Sequence, residues 1–162
     1  MAIMRLNSSL LIPISIQRIS SVEKPAQTRV LVIDDDEAMI AMLKLVLESN
    51  SFEVLEARSG TEGIETARQQ NPEVIILDLM LPEMYGWQVC KSIRTFSQVP
   101  IIVLSAMSKP DIVARALDEG ADDYLLKPMP SSVLIAHLKS LVRRARAEKN
   151  SLNGHPGSLN HE

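Results

Sequence analysis

The sequence predicts an α/β protein built on a doubly wound, five-stranded parallel sheet, and three observations carry that expectation. Two wholly apolar runs, Val30–Ile33 and Val74–Leu77, each stop on a carboxylate, Asp34 and Asp78. Runs without polar alternation suit strands that are covered by helices on both faces. Between such runs the apolar spacing changes to three and four residues, the period of an amphipathic helix. This strand-then-helix alternation recurs five times along the chain, and right-handed crossovers then place helices on both faces of the sheet.

Taken in order, folded structure is expected to begin at Arg29, with Val30–Ile33 as the first strand and Asp34-Asp35-Asp36-Glu37 beyond its end. In the first helix Met39, Leu43, Val46 and Leu47 share a face. Phe52–Leu55 reads as a short second strand, and Ser59 with Glu62 reads as a capping box that opens the second helix. That helix runs to about Gln70, where Asn71-Pro72 breaks it before the third strand. Burying Asp78 inside this strand would be costly, so the strand ends there, and Pro82 cannot continue a ladder. Val89, Cys90 and Ile93 form one face of the third helix, and Pro100–Leu104 forms the fourth strand, ending at Ser105-Ala106. The fourth helix covers about Pro110–Glu119, with Val113, Ala114 and Leu117 inward and Gly120 just past its end. Asp123–Leu126 is the fifth strand, ending at Lys127-Pro128. Leu134, Leu138, Leu141 and Val142 line the fifth helix, which finishes in Arg143, Arg144 and Arg146.

The chain of 162 residues suits one domain with length left for extensions at both ends. Residues 1–28 read as a disordered or irregular extension. The apolar stretch Leu10–Ile16 is interrupted by Pro13 and Ser15 and reaches Arg18 without a small-residue cleavage site, which argues against export. Residues 29–147 form the domain, and 148–162, rich in Asn, Ser, Gly and His, read as a disordered tail. No apolar run approaches the ~20 residues of a membrane span. A net charge of −3 gives no reason to expect direct contact with nucleic acid. The basic end of the fifth helix complements its dipole, and no aromatic residues interleave there to stack bases. The single cysteine, Cys90, cannot form an internal disulfide; it reads as packing, and the chain as a protein of the reducing cytoplasm.

In a parallel sheet all carboxyl ends lie along one edge, and ligands of open α/β sheets bind there. Four of the five strands carry polar chemistry at that edge: Asp34/Asp35, Asp78, Ser105 and Lys127. Three carboxylates brought close repel one another, and a hard divalent cation such as Mg²⁺ resolves the conflict. Lys127 and Ser105 suit the oxygens of a phosphoryl group, and Asp78 is the natural nucleophile, forming an aspartyl phosphate.

Ile33-Asp34-Asp35, Leu77-Asp78-Leu79-Met80-Leu81-Pro82, Ser105-Ala106 and Gly120–Pro128 together resemble the receiver domain of bacterial two-component response regulators. The resemblance covers about residues 29–147, in order and spacing, and comes nearest to receivers of the winged-helix (OmpR/PhoB) class. It implies a flavodoxin-like strand order 2-1-3-4-5 and phosphorylation of Asp78 by a sensor histidine kinase or phosphotransfer protein. It implies Mg²⁺ ligation by Asp35, Asp78 and the Met80 backbone carbonyl, with Asp34 acting through water, and a cis Lys127-Pro128 bond. It makes Ser105 and Tyr124 switch residues: movement of Ser105 toward the phosphoryl group would let Tyr124 swing inward and change the face formed by the fourth helix, fifth strand and fifth helix. On this reading the chain catalyses only its own phosphorylation and dephosphorylation and is otherwise not an enzyme.

A haloacid-dehalogenase-like phosphatase uses similar groups, but its proton-donating aspartate two residues after the nucleophile is Met80 here, and its motif order is reversed. Output is expected through protein contacts, or else the chain is the receiver of a longer DNA-binding regulator; the residues after the fifth helix are too few for a further module. A homodimer through the fourth helix, fifth strand and fifth helix is also implied. His137 stands where that class has an arginine, opposite Asp123, and Val113 and Val133 replace opposite charges, so a weaker dimer, or one held by apolar contact and less sensitive to salt, is expected. Met80 and Met107 occupy the positions two residues after Asp78 and Ser105, where a polar side chain could hold an attacking water.

Overall fold

A computed structural model describes residues 26–153. Five strands and five helices alternate: β1 (Thr28–Ile33), α1 (Glu37–Glu48), β2 (Phe52–Ala57), α2 (Gly60–Gln70), β3 (Val74–Leu77), α3 (Gly86–Arg94), β4 (Ile101–Ser105), α4 (Pro110–Asp118), β5 (Asp123–Leu126) and α5 (Ser131–Asn153). All strand pairs are parallel, in the order β2-β1-β3-β4-β5. The expected sheet and strand order are therefore both present. Most of the 1–28 extension lies outside the described residues.

The apolar strands feed two separate layers, because successive side chains point to opposite faces. Val30, Val32, Val74, Ile76, Ile102 and Leu104 pack on one face under α1 and α5. Leu31, Ile33, Ile75, Leu77, Ile101 and Val103 pack on the other under α2, α3 and α4. The fully apolar runs thus arise from burial on both sides. Leu43 and Leu47 of α1 and Leu134, Leu138, Leu141 and Val142 of α5 are buried as the spacing requires, joined by Ile40 and Ile135. Val89, Cys90 and Ile93 all face inward. Burial pushes the Cys90 thiol up to about 12, in keeping with a packing role. Among the described residues no helix is long and apolar enough to cross a membrane.

Four local expectations need correction. The first strand starts two residues earlier, at Thr28, and β2 continues to Ala57 because it pairs with the whole of β1. Ser59 caps α2 by accepting from the Glu62 N–H at 3.1 Å, but the Glu62 carboxylate takes the Arg58 N–H, one residue before the cap. In α4 the buried residue is Ala116, with Ile112 packed beside it, whereas Ala114 and Leu117 are exposed and Val113 is only half-buried. The helix is apolar around most of its circumference, so spacing alone could not choose the face. Finally, α5 runs on through residues 148–153, which were read as tail. Ala145, Ala147, Glu148 and Lys149 are good helix formers, and no Gly or Pro occurs before Gly154.

The turn after α4 is held by Arg94 from the end of α3. Gly120 adopts φ +113°, a conformation that suits glycine, and a Cβ there would meet the Arg94 side chain at 2.7 Å. The guanidinium donates to the carbonyls of Gly120 (3.0 and 2.7 Å), Ser97 (3.1 Å) and Val99 (2.7 Å), and to Asp122 Oδ2 (2.8 Å). Asp122 Oδ2 also accepts from the Ile101 N–H at 2.8 Å, at the start of β4. Replacing Arg94 would strand these acceptors, most of them half-buried. Arg94→Ala is expected to lower unfolding stability by about 3 kcal/mol, read as a fall in the urea midpoint with unchanged slope; a midpoint equal to wild type would show that the clasp is ornamental.

Candidate functional site

Strand pairing brings the site together. β1 and β3 lie side by side with Ile33 opposite Leu77, so the next residues, Asp34 and Asp78, are neighbours at the sheet edge. The Asp78 N–H donates to the Ile33 carbonyl at 2.9 Å, which fixes that adjacency. Gly86, the first residue of α3, closes in from the far side: a Cβ there would lie 2.6 Å from the Asp78 carbonyl oxygen. One ligand atom from each of Asp34, Asp35 and Asp78 lies within 4.8 Å of the others. Asp34 is buried, Asp35 exposed and Asp78 between the two. The third aspartate of the run, Asp36, is spent on structure, accepting from the Ala38 and Met39 N–H groups as the cap of α1.

Lys127, at the end of β5, reaches across the edge. Its Nζ donates to Asp34 Oδ2 at 3.0 Å and, at the outer limit of a hydrogen bond, to Asp78 Oδ2 at 3.5 Å. Among the described residues it is the one cation within salt-bridge distance of any of these carboxylates, and it reaches two of them, Asp34 and Asp78. Burial pushes the Asp78 carboxyl above its usual range; the Asp34 charge adds to this, while Lys127 and the Met80 N–H, which donates to Asp78 Oδ1 at 3.3 Å, oppose it. The Lys127-Pro128 bond is cis, as the resemblance implied.

Ser105 ends β4 fully buried, its Oγ accepting from the Met107 N–H at 3.2 Å. Tyr124 lies with its ring against the buried layer under α3 and α4, and its hydroxyl donates to the Met107 carbonyl at 2.5 Å. Met107 thus ties the two residues together, a connection that neither residue's position in the sequence signals. Burial pushes the Tyr124 hydroxyl above its ordinary value.

Two features beside the site were not anticipated. On one side an apolar groove of about 410 Å³ runs between α1 and the β5–α5 turn, lined by Met39, Met42, Val46, Lys127, Pro128 and Met129 among others. On the other, Met80 and Met107 help to line a second groove that contains Tyr85 and Trp87. Met39 and Val46 had been placed on the core face, and they are half-buried because they border the first groove.

Residues 30–139 match the model of the response regulator receiver domain. The chain is 41% identical over 118 residues to the transcriptional regulatory protein AfsQ1 of Streptomyces coelicolor, covering 73% of this chain and 52% of that protein. It is 40% identical over 118 residues to the transcriptional regulatory protein SrrA of Staphylococcus aureus, covering 73% and 49%. It is 39% identical over 116 residues to the DNA-binding response regulator MtrA of Mycobacterium tuberculosis, covering 72% and 51%. The chain therefore spans about half the length of the curated relatives it matches. Among solved structures, a two-component response regulator from Clostridium difficile superposes with a TM-score of 0.71 at 32% identity, covering 74% of this chain and 98% of that one. The BeF₃-activated receiver domain of Klebsiella pneumoniae RstA does so with 0.69 at 28% identity, covering 71% and 98%. With the acidic cluster, the lysine and the serine at the edge of a 2-1-3-4-5 sheet, this chain belongs to the response regulator receiver domain family of two-component signalling.

Proposed function

We propose that Asp78 is the phosphoacceptor, taking a phosphoryl group from the phosphohistidine of a sensor kinase or phosphotransfer protein. The observation that carries this reading is that Lys127 reaches Asp78 from a strand that is not its neighbour, at the one point where three carboxylates meet. An Asp78 oxygen attacks phosphorus as the bond to the donor breaks, and the phosphoryl oxygens are met by the Lys127 ammonium and the Ser105 hydroxyl. Three carboxylates against one ammonium leave excess negative charge, and the donors are all hard oxygens, so the site fits Mg²⁺. Asp35, Asp78 and the Met80 carbonyl would hold the ion, with Asp34 acting through water, and when bound it supplies countercharge to the phosphoryl oxygens. The apolar groove beside Lys127 offers a seat for the partner that delivers the group.

Release of the signal follows the chain from Ser105 through Met107 to Tyr124. Ser105, drawn toward a phosphoryl oxygen, shifts the Met107 segment that the Tyr124 hydroxyl grips, and so the face of α4, β5 and α5. On that face Asp123 is engaged within its own chain by His137 Nδ1 at 2.5 Å, and Leu117, Leu126 and Val133 are exposed. Contact there is with a second copy or another protein, and it is mainly apolar. A second reading is favoured by the curated relatives, which are named as DNA-binding or transcriptional regulators and of which the matched segment makes up only 51–52%: the chain is the receiver part of such a regulator.

Incubation with Mg²⁺ and acetyl phosphate is expected to add one phosphoryl group, and Asp78→Asn to abolish it. Intact-mass measurement decides this, and a variant labelled like wild type would remove Asp78 from the role. The label is expected to persist for many minutes, because the thioethers of Met80 and Met107 cannot orient a hydrolytic water. Met80→Asn with Met107→Glu should shorten its lifetime at least severalfold, and an unchanged decay after donor removal would refute this.

The raised Asp78 pKa also has a stability consequence. The ionised carboxylate is costlier in the folded chain than in the unfolded one, so its penalty is present above the folded pKa and is relieved as pH falls through it. In EDTA at neutral pH, Asp78→Asn is expected to unfold at higher urea than wild type, with the gap narrowing at acid pH and on adding Mg²⁺. A wild type that is the more stable in EDTA would contradict it. Sedimentation of the phosphorylated protein across a salt series tests the apolar face: a tight dimer that dissociates steeply as salt rises would show that ion pairs, not apolar contacts, hold it.

A further inference from the structure

The second groove next to Asp78 has a composition that the site's phosphoryl chemistry does not require. Its walls begin at the site itself: the Met80 N–H bonds Asp78 and the Met107 N–H bonds Ser105, while both side chains turn to the groove. Beyond them Tyr85 and Trp87 stack with ring centroids 4.3 Å apart and planes 16° from parallel. The Arg115 guanidinium lies 4.7 Å from the Trp87 ring centroid and makes no salt bridge among the described residues. Met80 and Tyr85 are half exposed, at 51% and 50%, so a ligand in the groove could cover them. The groove volume of about 400 Å³ exceeds the ~150 Å³ known to hold a benzene ring.

Flat apolar walls next to a cation that has no carboxylate partner among the described residues match a flat, aromatic anion. We propose that this groove seats the leaving group of a phosphodonor, and that the leaving group it favours is a planar aromatic carboxylate. The inference rests on Asp78 being the phosphoacceptor. An Asp78 oxygen forms a bond to phosphorus, the bond from phosphorus to the donor's acyl oxygen breaks, and the carboxylate departs with the electron pair as an anion. No proton is needed, and Arg115 supplies the complementary charge. Met80 and Met107 line the groove and bond Asp78 and Ser105 through their N–H groups, so the aromatic walls lie next to the place the departing group leaves.

Benzoyl phosphate and acetyl phosphate make a matched pair, since both release a carboxylate of similar basicity. Labelling of Asp78 by benzoyl phosphate is expected to reach half its maximal rate at about a tenfold lower donor concentration than labelling by acetyl phosphate. Trp87 is the sole tryptophan, so benzoate alone should change its fluorescence with saturation, whereas acetate should not. In Arg115→Gln, a change at an exposed position, and in Trp87→Ala, the ratio of the two donors should fall toward one. Equal half-saturation in the wild type, or a ratio untouched by both variants, overturns the proposal. Failure of acetyl phosphate to label Asp78 overturns the reading beneath it instead, so the two failures are told apart.

Discussion

Negative charge held at a sheet edge by a single ammonium is the constraint around which this domain is arranged. Asp34 and Asp78 are neighbours because β1 and β3 are paired in register, and nothing in that pairing relieves their repulsion. Relief comes from β5, two strands away from β3, through the side chain of Lys127. A short residue at the end of β4 is what lets that side chain cross: Ser105 lies between the two strands and is fully buried. The order of the strands, the apolar layers that fix it and the polar groups at their ends therefore form one solution to one electrostatic problem. Burial, with the Asp34 charge adding to it, makes Asp78 basic for a carboxylate, which suits the phosphoacceptor role proposed for it.

The same edge joins chemistry to a distant surface. Met107 holds Ser105 through its N–H and Tyr124 through its carbonyl, so a single peptide segment stands between the buried hydroxyl and the tyrosine. Because both contacts are to backbone, the coupling does not depend on the identity of the side chain at that position. The methionine side chain is left to line the groove beside Asp78. One residue thus serves two ends with different parts of itself.

The strand ends were legible in the sequence because each is marked by an abrupt change from aliphatic to charged or hydroxyl residues. Asp34, Asp78, Ser105 and Lys127 all lie where those changes put them. The buried face of α4 was not legible: Ile112, Val113, Ala114, Ala116 and Leu117 supply apolar residues on several sides, and the small Ala116 is chosen only by what packs against it in three dimensions. Nor was the Arg94 clasp, because its partners are mostly backbone carbonyls, which leave no trace in side-chain identity. The groove of Tyr85, Trp87 and Arg115 joins the start of α3 to the last turn of α4. Its parts are separated in sequence by more than a helix and a strand, so no local pattern could announce it.

The last helix carries a mechanical implication. α5 has 23 residues and so rises about 34 Å, yet only its first half, Leu134 to Val142, is embedded in the core. Its root lies four residues after Lys127, and its second half is held to the domain only at the surface, where Arg146 pairs with Glu73 and donates to Thr28. A tilt of about 10° at the root would sweep the far end through roughly 6 Å by leverage alone, given that rise. Small adjustments near the ammonium would thereby be magnified into displacements on the scale of a whole side chain at the far end of the helix.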